Sequence, residues 1–257
     1  MKAMIFAAGR GQRMRPLTDT CPKPLLTVRG RPLIVWHILQ LVRAGITEIV
    51  INTSHLGQMI VDTLGDGAQF GARIVYSMEE HGLETAGGVA KARHLLGEEP
   101  FVALAADIYC PHFDFEQVKN TLEEKDLWGN PYPPDTRDIG WLYLVKNPPE
   151  HPAGDFALNL FSVANQGADM LTYSGIGVFR PEMFDSVVPG QTEKLVTLLR
   201  KYAALGQLGG ELYRGDWTDV GTPQRLEQLN ANNPNHANNV KSRKTTITAA
   251  FTPGKQS

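Results

Sequence analysis

Over the first 110 residues, short apolar runs alternate with amphipathic stretches, and this constrains the fold more than any other feature of the chain. Met4–Ala7, Glu48–Asn52, Arg73–Tyr76 and Phe101–Ala106 read as strands, and Pro32–Ala44, Met59–Leu64 and Gly88–Leu96 as helices. Leu33, Trp36, His37, Gln40 and Leu41 fall along one side of the first helix, and Gly45 ends it. Strands and helices joined by short connections predict an α/β fold whose parallel sheet is covered on both faces. Ligands of such sheets bind beyond the carboxyl ends of the strands. The loop Ala8–Pro16 and Asp107 would both lie at that edge. The second half is less regular. Trp141–Val145, Ala157–Val163 and Gly175–Phe179 predict further strands, Leu195, Leu198, Leu199 and Tyr202 a packed helix stripe, and the proline-rich Asn130–Asp138 a loop. There is no internal repeat, and the Asn-rich, then basic, residues 231–257 predict a disordered tail.

Charge is unevenly spread along the 257 residues. The formal net charge is -2, yet residues 1–31 sum to +6 and residues 232–257 to +4, which leaves -12 for the residues between. A nearly neutral total argues against a nucleic-acid partner, and the cationic head points to a smaller polyanion. No apolar run reaches the ~20 residues of a membrane span, and the first apolar stretch is too short for a signal-peptide core. Two cysteines, Cys21 and Cys110, form no CxxC, so a reducing cytoplasm is expected. The seven histidines have no zinc-ligand spacing and read as surface or packing residues.

Gly9-Arg10-Gly11-Gln12-Arg13-Met14 follows the first strand like a dinucleotide fingerprint, but Met14 replaces the third glycine and Arg15-Pro16 stands where the helix should start. No Gly-Lys-Ser/Thr appears, so the loop is not a Walker A sequence either. Its chemistry still favours phosphate. Glycines let backbone N–H groups approach an anion, and Arg10, Arg13 and Arg15 bring cations to the same stretch. Cys21-Pro22-Lys23-Pro24-Leu25 brackets one lysine with two prolines and stiffens the backbone around it. Such a lysine either stabilises charge on a phosphate in transit or points at water from an extended turn.

Phe6-Ala7-Ala8-Gly9-Arg10-Gly11-Gln12-Arg13-Met14-Arg15-Pro16-Leu17-Thr18, followed by Pro22-Lys23-Pro24-Leu25, resembles the nucleotide-binding signature of the sugar-1-phosphate nucleotidyltransferases. The resemblance covers about residues 1–230 and is strongest to short members without a C-terminal β-helix domain. It implies one Rossmann-like, GT-A-like domain with a central, mostly parallel mixed sheet. Its nucleotide part would be about residues 1–110 and its sugar part about 111–230. Ala7, Ala8, Gly9 and Gly11 would hold base and phosphates, Arg13 the triphosphate, and Lys23 the α-phosphate and incoming sugar phosphate. Leu83-Glu84-Thr85-Ala86-Gly87-Gly88 resembles the second nucleotide-contacting segment, which brings in Ala86, Gly87 and Gly88. Asp107 and, in Trp217-Thr218-Asp219-Val220-Gly221-Thr222-Pro223, Asp219 match the two carboxylates that hold Mg2+. A strand-end aspartate is otherwise a common turn former. More weakly, His151–Phe156 and Thr172–Gly177 resemble sugar-facing segments, which makes Gly154, Asp155, Tyr173, Ser174 and Gly175 candidates for the sugar.

The implied reaction joins a sugar 1-phosphate to a nucleoside triphosphate and releases pyrophosphate. Resemblance to the short members implies N-acetylmuramate 1-phosphate and UTP, with mannose 1-phosphate and GTP or another sugar 1-phosphate as the alternative, and, without the β-helix domain, a monomer. A non-catalytic nucleotide-sugar sensor is the reading from another class. Two departures stand out. Ala106 precedes Asp107 where the family usually has glycine, and no Glu-Lys-Pro segment lies between residues 140 and 180 to supply a sugar-phosphate lysine. Its role falls to Lys23 or Lys146, or to no lysine at all.

Overall fold

The computed structural model describes residues 1–122 and 138–231. The expected tail, except Ala231, and the expected 130–138 loop, except Asp138, lie outside the described residues. The first half is built from β1 (Ala3–Phe6), the two-residue strands β2 (Thr27–Val28) and β3 (Arg31–Pro32), α1 (Leu33–Arg43), β4 (Glu48–Thr53) and α2 (Gly57–Leu64). It continues through β5 (Arg73–Met78), α3 (Glu84–Leu96), β6 (Phe101–Ala105) and β7 (Ile108–Tyr109). After it come β8 (Gly140–Val145), β9 (Phe156–Asn159), β10 (Ser162–Ala164) and β11 (Met170–Phe179). The described chain ends with α4 (Leu195–Ala204), β12 (Leu208–Leu212), β13 (Thr218–Asp219) and α5 (Pro223–Ala231).

Among the described residues, nine strands form one mixed sheet in the order β5-β4-β1-β6-β11-β8-β12-β10-β9. Pairing is parallel through β5-β4-β1-β6, as the βα alternation requires. Beyond β6 it turns antiparallel except at β8–β12, so the parallel character belongs mainly to the first half. Period-two alternation sorts the core. Ala3 and Ile5 of β1 face one layer with Ile34, Ile38 and Leu41 of α1 and Ile60 and Leu64 of α2. Met4 faces the other layer with Val89 and Leu96 of α3 and Leu195, Leu198 and Leu199 of α4.

Two expectations change. The run Ala157–Val163 is not one strand but the hairpin β9–β10, which turns at Leu160, where φ is +55°. Leu160 and Phe161 are exposed at its tip, so their apolar side chains mimic a strand interior only in sequence. Helix α3 begins at Glu84, a full turn before Gly88.

Helix α1 also supports the edge where the site forms. The buried His37 imidazole donates from Nε2 to the Ile108 carbonyl at 2.9 Å, and Gln40 Nε2 donates to the Cys110 carbonyl at 2.9 Å. Burial pushes the His37 pKa down from 6.5 to about 4. The unfolded chain therefore takes up a proton between those values that the folded chain refuses. The stabilisation is complete above pH 6.5 and is lost as pH falls towards 4. Between pH 7 and pH 5 this group is expected to cost about 2 kcal/mol of folding stability. Urea denaturation at both pH values checks it, since His37→Gln should lose that much less than the wild type. Equal losses would remove His37 as the cause.

Candidate active site

A cavity of about 1000 Å³ opens beyond the carboxyl ends of β1 and β6. One wall is the loop after β1, with Ala7, Ala8, Gly9, Arg10, Gly11 and Arg13 all lining the space. Gly11 has φ +61°, and a Cβ there would stand 2.9 Å from Thr18 Cγ2, so only glycine fits without a shift. A Cβ on Gly9 would meet nothing within 4 Å, which leaves that stretch of backbone open to a ligand. Of the seven head cations only Arg10, Arg13 and Lys23 line the cavity. Arg29 and Arg31 lie over the Tyr109 and Trp36 rings, Arg15 pairs with Asp19, and Lys2 bonds the Leu95 carbonyl. Arg10 and Arg13 have no ion pair among the described residues.

Lys23 does not point at water. It begins a 3-10 turn, Lys23–Leu25, and its side chain is 9% exposed with Nζ 2.6 Å from Asp107 Oδ2. A buried network missed in the sequence joins the loop after β1 to the segment that leads into α3. The Ala7 N–H donates to Asn52 Oδ1 at 2.9 Å, and Asn52 Nδ2 donates to Glu79 Oε1 at 2.8 Å. The Leu83 N–H then donates to Glu79 Oε2 at 2.8 Å. Burial makes such a satisfied chain rigid. Gly82, Glu84 and Thr85 form the adjoining cavity wall, whereas Ala86, Gly87 and Gly88 lie buried behind it and do not line the space. The Ala86 and Gly87 N–H groups are taken by the Glu193 carbonyl. A Cβ on Gly87 would stand 2.3 Å from the Gln191 carbonyl, and one on Gly88 2.7 Å from Asn52 Nδ2. Both glycines are required by packing.

The fold places the two distant aspartates at the paired strands β7 and β13, Asp107 in the turn before β7 and Asp219 on β13. Asp107 follows β6, Asp219 pairs with Ile108 across β13–β7, and the Val220 N–H donates to the Asp107 carbonyl at 2.9 Å. Asp219 Oδ2 lies 2.7 Å from Arg225 Nη1, and Arg225 Nη2 lies 2.6 Å from Glu150 Oε1. Asp107 lines the cavity; Asp219 sits at its margin, with Gly221 on the wall.

A family model described as nucleotidyl transferase matches residues 2–128. The N-acetylmuramate alpha-1-phosphate uridylyltransferase of Neisseria meningitidis is 47% identical over 238 residues, covering 90% of this chain and 97% of that protein. The chain belongs to the nucleotidyl transferase family. Mannose-1-phosphate guanyltransferase beta-A of Xenopus laevis is 30% identical over 242 residues, 87% of this chain but 62% of that longer relative. Among solved structures, a Bacillus anthracis chain titled a glucose-1-phosphate thymidylyltransferase superposes with a TM-score of 0.75 at 21% identity. That match covers 99% of this chain and 98% of the other, and it speaks for the fold.

For a nucleotidyl transferase that uses a divalent cation, the donor set here fits. Asp107, in the turn before β7, and Asp219, on the paired β13, offer hard oxygens with side chains 39% and 27% exposed, open enough for a cation that keeps several waters. The Ala106 methyl packs in the core and the residue is 1% exposed, although it forms part of the cavity floor.

Across the cavity stand Asp155, Phe156, Tyr173 and Gly175. Asp155 Oδ2 accepts the Tyr173 N–H at 2.8 Å, and Oδ1 lies 3.0 Å from His151 Nε2. Burial pushes the Tyr173 pKa up, and its hydroxyl has no hydrogen-bond partner among the described residues. Gly175, at φ +84° in a β-bulge, lines the space, whereas Gly154 and the buried Ser174 lie behind it. Lys146 belongs to a separate cleft. Lys194, which sequence reasoning missed, lines the main cavity with no ion pair among the described residues. Its only sequence signal is a lysine at the start of an amphipathic stretch.

Proposed function

We propose that this protein joins N-acetylmuramate 1-phosphate to UTP, giving UDP-N-acetylmuramate and pyrophosphate for the recycling of cell-wall sugar. The chemistry rests on one observation: Arg13, Lys23 and Asp107 face one cavity at the carboxyl edge of the sheet, and Asp219 stands on the strand paired beside them. The substrates rest on the 47% identity to the Neisseria relative over nearly its whole length. The backbone of Ala7, Ala8, Gly9 and Gly11 approaches base and phosphates, with Gly82, Glu84 and Thr85 on the adjoining wall and Ala86, Gly87 and Gly88 as its packed support. Residues up to about 110 form this nucleotide part. Residues from about 111 to 230 supply the sugar part, where Asp155, Tyr173, Gly175 and Lys194 face the ring, and Gly154 and Ser174 shape the backbone behind them.

A sugar-phosphate oxygen, already an anion at neutral pH, attacks the α-phosphorus of UTP. The bond from that phosphorus to the bridging oxygen breaks, and pyrophosphate leaves with the electron pair. No general base is needed. Arg13 steadies the β- and γ-phosphates, and Lys23 neutralises charge growing on the α-phosphate. Mg2+ held by Asp107 and Asp219 supplies further charge neutralisation as a Lewis acid when bound. Triphosphate substrates and free cysteines, with Cys110 pushed up to about pKa 12 by burial, support a cytoplasmic setting. No helix among the described residues is long and apolar enough to cross a membrane.

Likeness to the Xenopus guanyltransferase favours mannose 1-phosphate and GTP as the second reading. Pyrophosphate release across four nucleoside triphosphates and a panel of sugar 1-phosphates tests both. Turnover is expected with UTP and N-acetylmuramate 1-phosphate above every other pair. Turnover with GTP and mannose 1-phosphate instead would select the second reading, and no release with any pair would favour a sensor.

A further inference from the structure

Both aspartates assigned to the cation are already held by cations of the chain itself. Lys23 holds Asp107, and Arg225 holds Asp219. The second pair differs from the first because Arg225 has two carboxylates to choose from. Nη1 lies 2.7 Å from Asp219 Oδ2 and 3.2 Å from the Asp219 carbonyl, while Nη2 lies 2.6 Å from Glu150 Oε1. The Arg225 side chain is only 18% exposed, and Thr222 Oγ1 accepts the Arg225 backbone N–H at 3.4 Å in the first turn of α5. Gly221 keeps the contact possible: a Cβ there would stand 2.7 Å from Asp219 Oδ2 and 3.1 Å from Arg225 Nη1. Glu150 precedes the loop that carries Asp155, so the guanidinium ties the cation-facing strand to the sugar side.

A guanidinium beside a carboxylate opposes a divalent cation at the same group, since like charges brought close repel. A second carboxylate that shares the guanidinium removes part of that opposition. We propose that Arg225 is a positioning residue that holds Asp219 before the divalent cation arrives and shifts its charge to Glu150 as Asp219 turns to the ion. Glu150 therefore sets cation affinity without touching the cation. This inference rests on the proposed cation site, and the test separates the two.

Mn2+ binding to the full chain, read by electron paramagnetic resonance with a non-hydrolysable UTP analogue present, is compared for wild type, Arg225→Gln, Glu150→Gln and the double variant. Arg225→Gln is expected to bind Mn2+ about three- to tenfold more tightly, and Glu150→Gln more weakly by about the same factor. In the Arg225→Gln background the Glu150 change should have little effect, because it acts through the guanidinium. Weaker binding in both single variants would make the triad a structural brace and overturn the proposal. Unchanged or tighter binding in Glu150→Gln, whose side chain is 40% exposed and leaves the Asp219 contacts in place, would overturn it even if Arg225→Gln failed to fold. Absence of Mn2+ binding in the wild type would instead overturn the cation site itself.

Discussion

Asp219→Ala is expected to lower kcat by about 10²- to 10³-fold or more while the chain stays folded. The carboxylate sits at the cavity margin, 27% exposed, and its loss removes no part of the apolar core. Arg225 keeps Glu150 as a partner, so no buried cation is orphaned. The loss should persist at saturating Mg2+, because a missing ligand changes where the ion sits as well as how tightly it binds. Steady-state pyrophosphate release over a Mg2+ titration, with a thermal melt as the folding control, measures both. Near-normal kcat at high Mg2+ would remove Asp219 from the cation site.

Lys23→Met is expected to cost kcat about as much, 10²- to 10³-fold. Methionine keeps most of the apolar stem that the 9% exposed side chain buries, so packing changes little. What disappears is the charge 2.6 Å from Asp107. A lysine serving only to neutralise Asp107 would be replaceable by Mg2+ at that carboxylate, and the rate would then recover as Mg2+ rises. A lysine acting on the α-phosphate is not replaceable in that way. Persistent loss of kcat with a modest change in KM for UTP supports the phosphate role, and recovery at high Mg2+ contradicts it.

The first half was legible because its central strands β1, β4 and β6 are short and almost wholly buried and its helices amphipathic, so periodicity and burial agree at Ala3, Met4 and Ile5. The loop from Ala8 to Met14 was legible because glycines and arginines together have few structural uses. Strand β12 was not, since Leu208-Gly209-Gly210-Glu211-Leu212 has the composition of a turn. Its glycines are needed because a Cβ on Gly209 would stand 2.4 Å from the Trp141 ring. The Asn52–Glu79 network and the Arg225–Glu150 pair were also hidden. Each joins residues far apart in sequence, and neither member carries a local pattern. The aspartate pair was visible only through resemblance, for the same reason. The cavity wall formed by the second half was read least well, because Lys194 enters the cavity from a helix start that sequence assigns simply to core packing.

The most direct measurement follows oxygen through the reaction. N-acetylmuramate 1-phosphate labelled with 18O at its non-bridging phosphate oxygens is turned over with UTP and Mg2+, and both products are analysed by mass spectrometry. Attack by the sugar phosphate on the α-phosphorus keeps every label in UDP-N-acetylmuramate and leaves pyrophosphate unlabelled. Label in pyrophosphate, or no nucleotide sugar at all, would contradict the reaction assigned to this cavity.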